Sequence, residues 1–145
     1  MATYVTAVFA ILCTISLLAA ADRPRAGSLK LNAAALDHAR ELINQGHFVA
    51  DKKGSWARHQ PSSKQENEFL SQHNFSEYGK WYLGIDQRHA QNVKACYKFP
   101  YGDFNAIHRC ALLAVKSRAR EYGHSEIENA AAELIEMISL KDPTQ

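Results

Sequence analysis

Residues 104–122, FNAIHRCALLAVKSRAREY, carry the reading that decides the fold. Phe104, Ile107, Ala111, Ala114 and Val115 recur at near-helical spacing, which predicts one long amphipathic helix. Pro100, Tyr101, Gly102 and Asp103 form a turn signal whose last residue is placed to cap that helix. Gly123 is placed to end it. Ser125, Glu126, Ile127 and Glu128 then read as a capping box. They open a helix to about residue 140 with the stripe Ile127, Ala130, Ala131, Leu134 and Ile138. Few residues separate the two helices, so an αα-hairpin is expected.

Upstream, Asn32 can cap a helix over residues 33–45, with Leu36, Ala39, Leu42 and Ile43 on one face and Gly46 at its end. Residues 48–50 suggest a short extended piece, and Lys52, Lys53 and Gly54 a turn. Ser63, Lys64, Gln65 and Glu66 read as a capping box for a helix to about residue 73. Residues 77–83 predict a short helix carrying Tyr78, Trp81 and Tyr82, and residues 84–91 a loop. Residues 93–99 fit either a turn of helix or an extended arm. No segment alternates apolar and polar residues long enough to predict a strand. The expected fold class is therefore all-α, a small bundle of four or five helices ending in an αα-hairpin.

Residues 5–20 are an almost unbroken apolar run that closes on Ala19, Ala20 and Ala21 before Asp22. That pattern suits an export channel and a narrow peptidase pocket. The expected organisation is a secretory signal peptide over 1–21, a mobile arm over 22–31, a single helical domain over 32–140 and a frayed tail over 141–145. The chain is expected to be secreted, with no membrane association after cleavage. Two rivals stand beside this: an anchor formed by residues 3–21, and a cytoplasmic protein whose leader is a gene-model artefact. The formal charge of +2 is too mild to imply a nucleic-acid or membrane partner by itself.

Cys13 leaves with the leader, and Cys96 and Cys110 remain. In an oxidising compartment they predict a disulfide worth about 3 kcal/mol, against two buried free thiols as the other reading. Asn74, Phe75 and Ser76 match the glycosylation acceptor N-x-S, while Asn74 also suits a helix junction. The seven histidines include no pair at i, i+4, and there is no H-E-x-x-H or C-x-x-C motif. Neither a metal site nor a cofactor is expected. No G-x-S-x-G elbow is present, and His108 and Cys110 diverge on one helix, so no catalytic set is assigned.

The unusual feature is aromatic and basic residues interleaved over residues 94–109, echoed by Lys80, Trp81 and Tyr82. Trp81, Lys94, Lys98, Tyr101 and Arg109 are the candidate binding residues. They suggest a non-enzymatic interaction domain for an unknown protein or small ligand. One alternative is a nucleic-acid-binding module, in which cations track phosphates and rings stack on bases. Another is a hydrolase-like enzyme using His108 and Asp103 as acid and base.

Several segments also carry a resemblance. They are His38, Ala39 and Arg40; Trp56 with His59, Gln60, Pro61 and Ser62; Glu66, Asn67, Glu68 and Phe69; YGKWYLGID over residues 78–86; YKFPYGDF over 97–104; and His108, Arg109 and Cys110. Together they resemble a group of small, uncharacterised, mostly bacterial helical proteins over residues 36–138. More weakly, the YKFP segment is similar to helical domains appended to phage head-maturation proteins. The resemblance implies an independent helical domain and supplies no activity, cofactor or catalytic residue. Members lack a leader and carry Arg at the place of Cys96.

Overall fold

A computed structural model describes residues 27–142. The order is β1 (Leu29–Leu31), α1 (Ala33–Asn44), β2 (Phe48–Val49), a 3-10 turn (Trp56–Arg58), α2 (Ser63–Gln72), α3 (Phe75–Gly79) and β3 (Tyr82–Asp86). A second 3-10 turn (Lys94–Cys96), β4 (Tyr97–Pro100), β5 (Ile107–His108), α4 (Arg109–Glu121) and α5 (Ser125–Lys141) complete it. The expected leader over 1–21 lies outside the described residues, as do residues 22–26 of the arm and 143–145 of the tail. No helix among the described residues is long and apolar enough to cross a membrane.

The fold is α+β, which corrects the all-α expectation. An antiparallel sheet runs β1-β3-β4, and β2 pairs in parallel with β5. β3 is the central strand, and Tyr82, Leu83, Gly84 and Asp86 are all buried. A strand covered on both faces has no reason to alternate polar with apolar residues. Its sequence therefore reads as a helix end followed by a loop. β1 takes the last three residues of the stretch expected to be a mobile arm, with Leu31 opposite Gly84. The ambiguous 93–99 segment holds both alternatives, the 3-10 turn and then β4.

The decisive stretch is also divided. Its helix begins at Arg109, five residues later than its spacing predicts. Asp103 does not cap that helix. Its Oδ1 accepts the N–H groups of Asn105 (3.0 Å) and Ala106 (2.8 Å), closing a tight local turn. Phe104 sits at φ 69°, a left-handed conformation incompatible with a helix. Ile107 then donates its N–H to the His47 carbonyl at 3.1 Å and continues as β5.

Helix ends follow local chemistry more closely. The Asn32 side chain accepts from Ala35 N, and its amide donates to the carbonyls of Gly79 and Tyr82, which ties α1 to β3. Ser62 rather than Ser63 forms the capping box, with Gln65 as its partner. α5 has no side-chain cap of its own, so the second predicted box does not form. Gly123, at φ 73°, turns the chain from α4 into α5, and the two helices pack against each other. α5 also covers α1, β1 and β3, which places Ile127, Ala131, Leu134 and Ile138 at the centre of the core.

Candidate functional site

The segment from β2 to α2 crosses the start of α4 and brings polar groups together there. Asp51 follows β2, and its Oδ1 accepts the Cys110 N–H at 2.7 Å. It thereby caps α4, whose own N-cap residue, His108, makes no side-chain cap. Asp51 Oδ2 lies 2.7 Å from His108 Nδ1, and Asp103 Oδ2 lies 3.1 Å from His108 Nε2. One buried imidazole is thus held between two carboxylates. Both contacts are hydrogen bonds together only when the ring carries two N–H groups.

The electrostatics follow from these contacts. Partial burial pushes the Asp51 pKa up, but the Cys110 N–H and His108 outweigh it and hold the carboxyl below its usual range. Asp103 shows the same balance: burial raises its pKa, and the Ala106 N–H, His108 and the Asn105 N–H bring it below normal. Burial pushes the Cys110 thiol up to about 11, and the nearby Asp51 carboxylate adds to that shift. A thiol in that state is a poor nucleophile.

The 3-10 turn Trp56–Arg58 completes the surround. The His59 ring stacks on His108, with centroids 4.7 Å apart and planes at 22°. The Trp56 ring lies 5.9 Å from His108. Trp56 also forms one wall of a separate open groove of about 720 Å³. β4 supplies Lys98, Phe99 and Pro100 to this groove, and α4 supplies Ala114, Val115 and Arg118. Tyr122 and His124, from the α4–α5 link, complete that side. The Arg118 guanidinium lies 5.5 Å over the Tyr122 ring. Arg88, also at the groove, is held bidentate by buried Asp86, at 2.9 and 2.7 Å. Among the described residues no ion pair uses Lys98 or Arg118.

The candidate binding residues divide among three environments. Trp81 is 6 % exposed and Tyr101 0 %, so both belong to the aromatic core and present no contact surface. The Tyr101 hydroxyl meets the Lys80 and Ala35 carbonyls. Lys94 donates to Glu66 Oε2 at 2.9 Å. Arg109 is half-buried at the first position of α4. Of the five, only Lys98 lines the groove.

The expected Cys96–Cys110 disulfide is not formed, and both thiols are free and buried. Cys96 closes the second 3-10 turn beside Asp86, whereas Cys110 stands on the first turn of α4 by Asp51 and Ser55. Each fills its own part of the interior as a small apolar residue. Asn74 is exposed, and its Oδ1 accepts the Glu77 N–H at 3.0 Å as the N-cap of α3.

Sequence reasoning paired His108 with Asp103 and missed Asp51 and His59, which reach the site from distant positions without any motif. It also missed Arg118, Tyr122 and His124. Arg118 and Tyr122 stand at i, i+4, a spacing that places a cation beside a ring and is visible in the sequence. In comparisons with protein-family models, curated proteins and solved structures, nothing matches this chain.

Proposed function

We propose that the protein is a ligand-binding domain whose groove beside β4 and α4 takes a small organic anion bearing a planar ring. The observation that carries this reading is the lining itself. Lys98 and Arg118 supply positive charge with no carboxylate partner among the described residues, and Trp56, Phe99 and Tyr122 supply ring faces. A volume of about 720 Å³ suits a small-molecule site. Stacking fixes a planar group, and the guanidinium and ammonium orient the anionic end.

Trp56 reports on occupancy, because a stacked ligand quenches its fluorescence while Trp81 stays in the core. The probes are adenosine 5′-monophosphate and 1-anilinonaphthalene-8-sulfonate, with uncharged adenosine as control. The charged probes should quench Trp56, and the double variant K98A/R118A should weaken them at least ~10-fold, about 1.4 kcal/mol. Equal binding of adenosine and its monophosphate would overturn the reading. So would an unchanged affinity in the double variant.

A nucleic-acid strand would use the same rings and cations, and is told apart by an affinity that falls steeply with salt. The hydrolase-like alternative has less support. His108 and Asp103 do meet, but both imidazole nitrogens face carboxylates and the ring is buried, which suits holding the fold better than passing a proton to a substrate.

A further inference from the structure

We infer that Asp51, His59 and His108 form a binding site for a divalent transition-metal ion, of the class of Zn²⁺. One ligand atom from each can be chosen so that the three lie within 4.8 Å of one another. The Asp51–His108 separation is 2.7 Å and the Asp51–His59 separation 3.8 Å. Ligand atoms around a tetrahedral zinc at roughly 2.0–2.1 Å stand about 3.3 Å apart. The two observed spacings bracket that value, and small shifts of Asp51 together with a turn of the stacked His59 ring would complete the fit.

The surroundings favour a cation. Asp51 and Asp103 flank a single imidazole, so the cluster keeps an excess of negative charge even when that ring is an imidazolium. The outer contacts match what a ligating histidine and carboxylate need. Asp103 accepts from Nε2 of His108, which leaves Nδ1 as the metal-facing nitrogen, and the Cys110 N–H fixes the far oxygen of Asp51. Metal capture replaces the hydrogen bond between Asp51 and His108 Nδ1. It also turns His59 off the face of His108, so that its Nε2 lone pair points at the ion. His59 can turn because its side chain is 39 % exposed, and water would complete the coordination sphere. Two imidazoles and one carboxylate form a borderline donor set that selects Zn²⁺, Co²⁺ or Ni²⁺ over Mg²⁺ or Ca²⁺. The three ligands are not groove-lining residues, although Trp56 borders both the site and the groove.

The test is calorimetric titration of the chelator-stripped chain with Zn²⁺, followed by Co²⁺ titration read through the visible bands of the ion. One equivalent should bind, Co²⁺ should develop the intense bands of a tetrahedral or five-coordinate site, and Zn²⁺ should raise Tm. His59 lies on the surface and supports no buried hydrogen bond, so His59→Ala should fold normally and weaken Zn²⁺ binding at least ~10-fold. His89→Ala, which alters another exposed histidine beside an aspartate, should leave the affinity unchanged. Asp103→Asn tests the positioning residue and should weaken binding while keeping the Co²⁺ spectrum. Failure of the parent protein to bind one equivalent would overturn the assignment, as would an affinity unaffected by His59→Ala.

Discussion

Asp51→Ala removes the residue that joins two distant parts of the chain. Its carboxylate accepts the Cys110 N–H and contacts His108, each at 2.7 Å. Loss of the first bond uncaps α4, at a cost of about 1 kcal/mol. Loss of the second removes a charge-assisted bond to a buried ring, about 2 kcal/mol more. The total of about 3 kcal/mol corresponds to a fall in Tm of roughly 10 °C for a domain of this size. Thermal unfolding followed by circular dichroism, in chelator so that no metal contributes, measures it. The acid side gives an independent reading. The folded Asp51 pKa lies below its unfolded value, so its stabilisation is complete above the ordinary carboxylate range, about 4, and is lost as pH falls through the depressed value. The variant should therefore lose less stability than the parent between about pH 6 and about pH 3, the window of carboxylate titration. A Tm within about 2 °C of the parent, with an unchanged acid slope, would refute the capping and pairing roles together.

Gly102→Ala should destabilise by about 1–3 kcal/mol through overpacking. The added Cβ would stand 2.6 Å from the Ala106 carbonyl oxygen, which accepts the Asp103 N–H, and 2.7 Å from the buried Trp81 ring. Urea titration should show a lower midpoint with an unchanged slope. Alkylation with iodoacetamide checks the cysteines. Cys96 and Cys110 should resist it in the folded protein and both react in denaturant without prior reduction, because they are buried free thiols. Labelling that needs a reductant would contradict that state.

What the sequence makes legible is what local chemistry decides. Asn32 and Gly46 bound α1, the stripe from Ile127 to Ile138 packs as its spacing predicts, and the extended character of residues 48–50 appears as β2. What it hides is non-local. Tyr82 to Asp86 becomes a strand because β1 and β4 lie on either side of it, and no window of that segment contains its partners. The helix over 104–122 starts late because the Asp103 side chain captures the local N–H groups and β2 draws Ile107 into a sheet. The site is half legible for the same reason. His108 and Asp103 are close in sequence, whereas Asp51 reaches them only through the pairing of β2 with β5.

That two-residue pairing bears on the order in which the chain can mature. Phe48 meets Ile107 and Leu31 meets Gly84, so both N-terminal strands stay without partners until much later residues are available. Closing such long loops costs entropy before any contact offsets it, and slows folding. During synthesis the first half would emerge with unpaired edges and an Asp51 lacking its helix. The last two helices, joined by a three-residue link and packed closely on each other, are the natural nucleus onto which the earlier strands dock.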